Sequence, residues 1–181
     1  MPYSVSDARD LLIASVLSGD PVIYIDDRWL YSNEEILQPV VELDLKNQGP
    51  KIIKIGVDLT LVAAGYSTQL ALEAAKILTN QGIDAEVIDI RVLSPLSPEL
   101  ILKSVTKTGR LVVVDGGWSP TGFAGEIIAT VTESIDPKLI KSSPKRVTIP
   151  FAPAPSAANL EKLYYPTALD VVKVSIESLK R

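Results

Sequence analysis

The sequence predicts an α/β fold, a three-layer open and mainly parallel sheet, on two observations. Residues 82–122 hold an apolar strand (Ala85 to Ile90), a helix opened by Ser97-Pro98 and closed by Gly109, and a second apolar strand (Leu111 to Val114). Strand, helix, strand in that order is a crossover unit, almost always parallel and right-handed. Ahead of it, Asp58 to Gly65 is a continuous apolar run, as expected of a strand covered on both faces.

The remaining elements follow in chain order. Ala8, Leu11, Leu12 and Val16 recur at helical spacing between Ser4 and Leu17, with Ser4 or Ser6 as N-cap and Gly19 as terminator. The run Pro21 to Asp26 reads as a short strand. From Asp27 to Pro50 no period is sustained, and Pro39 with the Asn47-Gln48-Gly49-Pro50 cluster marks a connection. So long a loop is unusual inside one compact domain, so a domain boundary is placed there. A helix and one strand cannot close a core, so residues 1–35 read as the end of a domain whose body lies elsewhere, 36–50 as a linker and 51–181 as a second domain. In that domain Ser67 is the expected cap of a helix striped by Leu70, Ala71, Ala74, Ala75 and Leu78 and ended by Gly82. The loop GGWSPTG leads into a helix from Phe123 to Ile135, and Lys145 to Ile149 makes a last strand. Pro150 to Pro155 is too proline-rich for either element and is expected to run extended over the surface. Thr167 with Asp170 forms a capping box for a final helix, with Leu169, Val172, Ile176 and Leu179 as its buried stripe.

Composition excludes several chemistries. The chain has 181 residues, 46% of them hydrophobic, enough for a packed core. With no cysteine it has no disulfide or thiolate, and with no histidine it lacks the commonest general base and metal ligand. Net charge is −4 with scattered basic residues, leaving no footprint for nucleic acid or anionic membranes. No apolar run is long enough to cross a bilayer and the N-terminus does not read as a signal peptide, so a cytoplasmic chain is expected.

Candidate site residues are few. Gly116, Gly117 and Gly122 precede a helix, where free amides would hold a phosphate or carboxylate; a plain loop-to-helix turn is the alternative. Asp89 and Arg91 alternate onto one side at a strand end, where open α/β sheets place ligands; an ion pair or a subunit contact explains them equally well. Trp118 and Phe123 flank the same loop, as an interface anchor or as core packing. Asp58 reads as a turn residue. No catalytic or metal-binding residue is assigned.

The order of residues resembles a known family. The run from Gly56 to Gly65 (GVDLTLVAAG), then Ala71 to Ala75, Gly82 to Arg91 (GIDAEVIDIR), Lys107 to Val114 (KTGRLVVV), Gly122 to Ile127, Arg146-Val147 and Leu160-Glu161 resemble the C-terminal domain of the β subunit of thiamine-diphosphate-dependent 2-oxo acid dehydrogenase E1 components, a transketolase-like domain. Asp7-Ala8, Leu11-Leu12, Asp20 to Ile23 and Leu30-Tyr31 are similar to the end of that family's pyrimidine-binding domain. The resemblance implies an enzyme that decarboxylates a 2-oxo acid or transfers a two-carbon unit with thiamine diphosphate and Mg²⁺. It also implies that this chain holds neither group alone, because the family's pyrimidine pocket lies upstream and its metal motif on another domain or subunit. Asp26-Asp27 stand where the family often has Glu-His, as a contribution to a shared site or as a solvated strand end. The implied partners are a second copy of the chain, a thiamine-binding subunit or segment, and an acyltransferase core. A stand-alone anion- or nucleotide-binding module and a non-catalytic docking domain are the alternative functions.

Overall fold

The computed structural model describes residues 1–180. Its centre is a sheet of five strands: β1 (Lys51–Lys54), β2 (Leu59–Ala63), β3 (Ala85–Asp89), β4 (Leu111–Trp118) and β5 (Lys145–Ile149). The spatial order is β1-β3-β2-β4-β5. β2 runs parallel to both neighbours, with Ala63 opposite Asp89 on one side and Val114 on the other. β5 joins β4 in parallel, while β1 closes the far edge antiparallel to β3, making the sheet mixed.

Six helices accompany it: α1 (Val5–Leu17), α2 (Tyr66–Thr79), α3 (Glu99–Thr108), α4 (Phe123–Ser134), α5 (Ala158–Tyr164) and α6 (Ala168–Leu179). Alternation along the strands builds two cores. Leu59, Leu61, Ala63, Val87, Val112 and Val114 face α2 and α6, and Val62, Ile88, Ile90 and Val113 face α3 and α4. Each fully buried Leu or Ile here contributes about 1.5–3 kcal/mol. A satisfied polar network crosses the second core. Ser104 donates to Glu86 Oε1 at 2.5 Å, Lys107 reaches Oε2 at 2.5 Å, and the Thr60 hydroxyl sits 2.7 Å from that of Ser104 and 2.8 Å from that of Thr108. Burial works to raise the Glu86 pKa, but the hydrogen bonds from Lys107, Ser104 and the Gly56 amide outweigh it and hold the carboxyl below its usual range.

Several local expectations hold. Ser4 caps α1 by accepting from the Asp7 amide, Gly109 ends α3 in the left-handed region at φ +73°, and the Thr167–Asp170 capping box is complete. Others are corrected. Pro21 to Asp26, expected as a strand, pairs with no strand among the described residues. Gly65, φ +57°, is the N-cap of α2 and Ser67 lies inside its first turn, because a glycine can adopt the left-handed turn that leads the chain from β2 into the helix. β4 runs on to Trp118 and takes in Gly116 and Gly117, since β5 pairs with it as far as Trp118 opposite Ile149. The fully buried stripe of α6 is Val171, Val172, Ser175 and Ser178; of the expected stripe, Val172 is buried and Ile176 and Leu179 pack half-buried against the core, while Leu169 is 66% exposed. The helix is rotated so that its small hydroxyl residues meet the domain: Ser178 bonds Ser142 at 2.6 Å, and Ser175 returns its proton to the Val171 carbonyl. The strand β1 and the helix α5 went unrecognised in the sequence, being four and seven residues long.

Candidate functional site

The carboxyl ends of β2, β3 and β4 bring most of the candidate residues to one edge of the sheet. At the end of β4 the side chain of Asp115, 3% exposed, turns back on its own loop. Its Oδ1 accepts the Gly117 amide at 2.8 Å and its Oδ2 accepts the Ala124 amide, in the first turn of α4, at 3.0 Å. The chain's own carboxylate therefore takes the place an incoming anion would occupy at this helix N-terminus. Gly122 is packed into the same turn: a Cβ there would lie 2.5 Å from Asp115 Oδ2 and from the Trp118 carbonyl oxygen. The anion reading of Gly116, Gly117 and Gly122 thus loses two of its donors to Asp115. An Asp two residues ahead of a glycine is the signature of such an Asx turn.

At the end of β3, Asp89 and Arg91 do not pair with each other through their side chains. Arg91, at φ 60°, forks onto Asp7 of α1, with Nε to Oδ2 at 3.0 Å and Nη2 to Oδ1 at 2.9 Å. Its Nη1 reaches the Gly49 carbonyl at 3.3 Å, so one guanidinium ties the first helix and the linker to the sheet. Asp89, fully buried, accepts from the Thr68 hydroxyl at 3.0 Å through Oδ1, and its Oδ2 has no partner. Burial pushes its carboxyl from 3.8 up to about 6, against the hydrogen bond from Thr68. Asp58 is a turn residue, holding the Asp84 amide at 2.7 Å.

Aromatic residues from five segments line the same edge. Trp29, in a 3-10 turn at Arg28–Leu30, stacks on Tyr66 at 5.4 Å between centroids and stands edge-on to Tyr165 at 5.5 Å. Tyr165 meets Tyr164 at 5.1 Å, and Tyr164 accepts from Trp118 Nε1 at 3.1 Å. Trp118 packs edge-on to Phe151 at 5.4 Å, so it does not pair with Phe123, which is half-buried against the core under α3 and α4. Asp27 caps from two sides, accepting the Trp29 amide at 3.1 Å and the Tyr66 amide at 3.2 Å, while Asp26 accepts from the Tyr31 hydroxyl. Both acids are therefore partnered at the end of the unpaired segment. Asp7, Thr68, Asp115 and Phe151 were not recognised in the sequence, because each gains its role only from a partner distant in the chain or folded back on it.

Among the described residues no group of three or more His, Cys, Asp or Glu side chains is placed to hold a metal ion, and no helix is long and apolar enough to cross a membrane.

A sheet covered on both faces, with ionisable groups engaged in contacts within the chain along one edge, defines an α/β domain. Residues 50–171 match the transketolase C-terminal domain, and the chain belongs to that family. It is 35% identical over 176 residues to the pyruvate dehydrogenase E1 component subunit beta of Rickettsia felis, a match covering 95% of this chain and 52% of that protein. It is 36% identical over 186 residues to the acetoin:2,6-dichlorophenolindophenol oxidoreductase subunit beta of Bacillus subtilis, covering 99% of this chain and 52% of the relative. Among solved structures, a split gene transketolase described as an inactive β4 tetramer superposes with a TM-score of 0.63 at 30% identity, over 81% of this chain and 45% of that one. The chain spans about half the length of the relatives it matches.

Proposed function

We propose that this chain is the C-terminal, assembly-forming part of a thiamine-diphosphate-dependent enzyme of the transketolase or 2-oxo acid dehydrogenase E1 type, and that it does not catalyse by itself. The observation that carries this is the N-terminal face. α1 and the segment after it leave Val16, Ile23, Ile36 and Val41 between 62% and 90% exposed, next to a closed domain whose core is complete. Val40, at 54%, belongs to the same face. Surfaces of that kind are covered by a neighbour, here the body of a pyrimidine-binding domain on an upstream segment or another subunit. Residues 1–35 are then its last elements, 36–50 the linker and 51–181 the C-terminal domain.

The residues described here do not fit thiamine diphosphate and its Mg²⁺. Among the described residues, the one buried side-chain oxygen without a partner, Asp89 Oδ2, has the wrong sign for a diphosphate, and no cluster of further carboxylates surrounds it for a metal. The amides best placed for an anion already hold Asp115. The cofactor belongs to the partner. That a relative with 30% identity forms a β4 assembly supports a second copy of this chain among its partners. Titration of thiamine diphosphate with Mg²⁺ into the purified chain, followed by calorimetry, is expected to give a flat trace. Saturable binding at near-unit stoichiometry overturns the reading.

A further inference from the structure

We infer that Asp89 gates the docking of α1 on the sheet: when its carboxyl ionises it competes with Asp7 for Arg91, and the helix loosens. The consequence, a pH-sensitive seam between two domains, rests on the reading of residues 1–35 as the end of a neighbouring domain. α1 buries Leu11 and Ala14, yet neither belongs to the two cores that cover the sheet. Polar contacts therefore carry much of its attachment, and at their centre is the Arg91 fork onto Asp7. An element with few apolar contacts to the core opens at a lower free energy than the core itself.

One guanidinium has two carboxylates beside it. Asp7 and the Gly49 carbonyl take three of the five N–H groups of Arg91, so among the described residues it has donors for a second carboxylate. Asp89 ends β3, fully buried, with its Oδ2 unpartnered. Neutral, it leaves Arg91 to Asp7. Ionised, it brings a second negative charge into the same site with no second guanidinium to match it. Like charges that share a site disfavour each other's ionisation. Burial pushes the Asp89 carboxyl up to about 6 and the Asp7 carboxylate adds to the rise, against the Thr68 hydroxyl and Arg91.

The remaining titratable groups around Asp89 come from the same N-terminal segment. The Met1 amine donates to the Arg91 carbonyl at 2.7 Å; burial holds it below its usual value, against the pull of Asp89, so rising pH removes a positive charge from the site as well. Tyr3 is pushed up by burial, then by Asp89, Glu35 and Asp7, and stays neutral across the range in which Asp89 titrates. α2 contributes the Thr68 hydroxyl, which does not titrate. Docking and ionisation are linked reciprocally: a docked helix that favours the neutral carboxyl is weakened by the same factor when that carboxyl ionises. The interval from 3.8 to about 6 bounds the factor at about a hundredfold.

Hydrogen exchange of the α1 amides in the full chain, corrected for the intrinsic pH dependence of exchange, measures the docking from about pH 5 to about pH 7.5, while carboxyl NMR follows Asp89 itself. Protection of α1 is expected to stay below that of β2 and to fall by about tenfold to a hundredfold, with the midpoint of the Asp89 titration. In Asp89→Asn, with circular dichroism to establish that it folds, α1 protection is expected to stay level over the same range. Level protection in the wild-type chain overturns the inference, because a carboxyl that is buried without bearing on α1 leaves the helix's own opening unchanged. A fall that survives Asp89→Asn, or protection of α1 equal to that of β2 at every pH, overturns it too. Thiamine diphosphate enters none of these measurements, so this inference and the reading of the chain as a non-catalytic part fail separately.

Discussion

Arg91 and Asp7, 84 positions apart in sequence, meet in a two-pronged buried ion pair that fastens the first helix to the end of β3. Their side chains are 9% and 12% exposed, which removes most of the solvent screening that makes surface pairs weak. Arg91 also holds a left-handed backbone conformation, φ 60°, that a non-glycine residue adopts only at a cost of about 1–2 kcal/mol. The tertiary contact therefore offsets local strain.

Cutting one side of this pair leaves the other charge buried and alone. Asp7→Ala and Arg91→Ala are each expected to destabilise the chain by about 3–5 kcal/mol in urea unfolding at neutral pH. Arg91→Lys is expected to recover only part of that loss, because an ammonium cannot reproduce the fork. A loss below about 1 kcal/mol in both alanine variants would mean that the helix is held by its apolar contacts instead.

Asp89 gives a pH-dependent expectation of definite sign. Its folded value of about 6 lies above the ordinary 3.8, so the folded state binds the proton more tightly than the unfolded chain. The stability from this group is fully present below about 3.8 and is lost as pH rises through about 6. Asp89→Asn keeps an acceptor for Thr68 and removes the charge. It is expected to be more stable than the wild type at pH 7.5, by at most about 3 kcal/mol, with the difference closing below about pH 4. Thermal melts across that range measure it, and a less stable Asn variant at pH 7.5 contradicts the assignment.

The rotation of α6 is tested by two alanines. Val171 is fully buried against the α2 face of the sheet and Leu169 is 66% exposed. Val171→Ala is expected to cost about 2 kcal/mol, and Leu169→Ala to stay within about 0.5 kcal/mol. Chemical denaturation of both variants decides between this packing and one in which Leu169 faces the core.

Much of the framework was legible in the amino acids because its signals are local. The continuous apolar run before Gly65, the apolar strand from Ala85, the left-handed glycine at 109 and the Thr167–Asp170 box each act within a few residues, and each stands where expected. Family membership was legible for the same reason, as an ordered series of short motifs.

What the tertiary structure decided depends on partners remote in the chain. β1 is four residues with no period of its own and becomes a strand only by pairing with β3. Pro21 to Asp26 has strand composition but pairs with no strand among the described residues, and backbone hydrogen bonding rather than propensity makes a strand. Asp115 looks like an open acid until the chain folds its carboxylate onto the amides of Gly117 and Ala124. Arg91 forks onto both oxygens of Asp7, 84 positions away on α1, while the nearby Asp89 turns to the Thr68 hydroxyl. Sequence alone thus determined the layers and the family, through interactions within one element. The sheet's edge, the state of the glycine loop and the apolar faces left open were decided by contacts between elements, whose geometry no local pattern records.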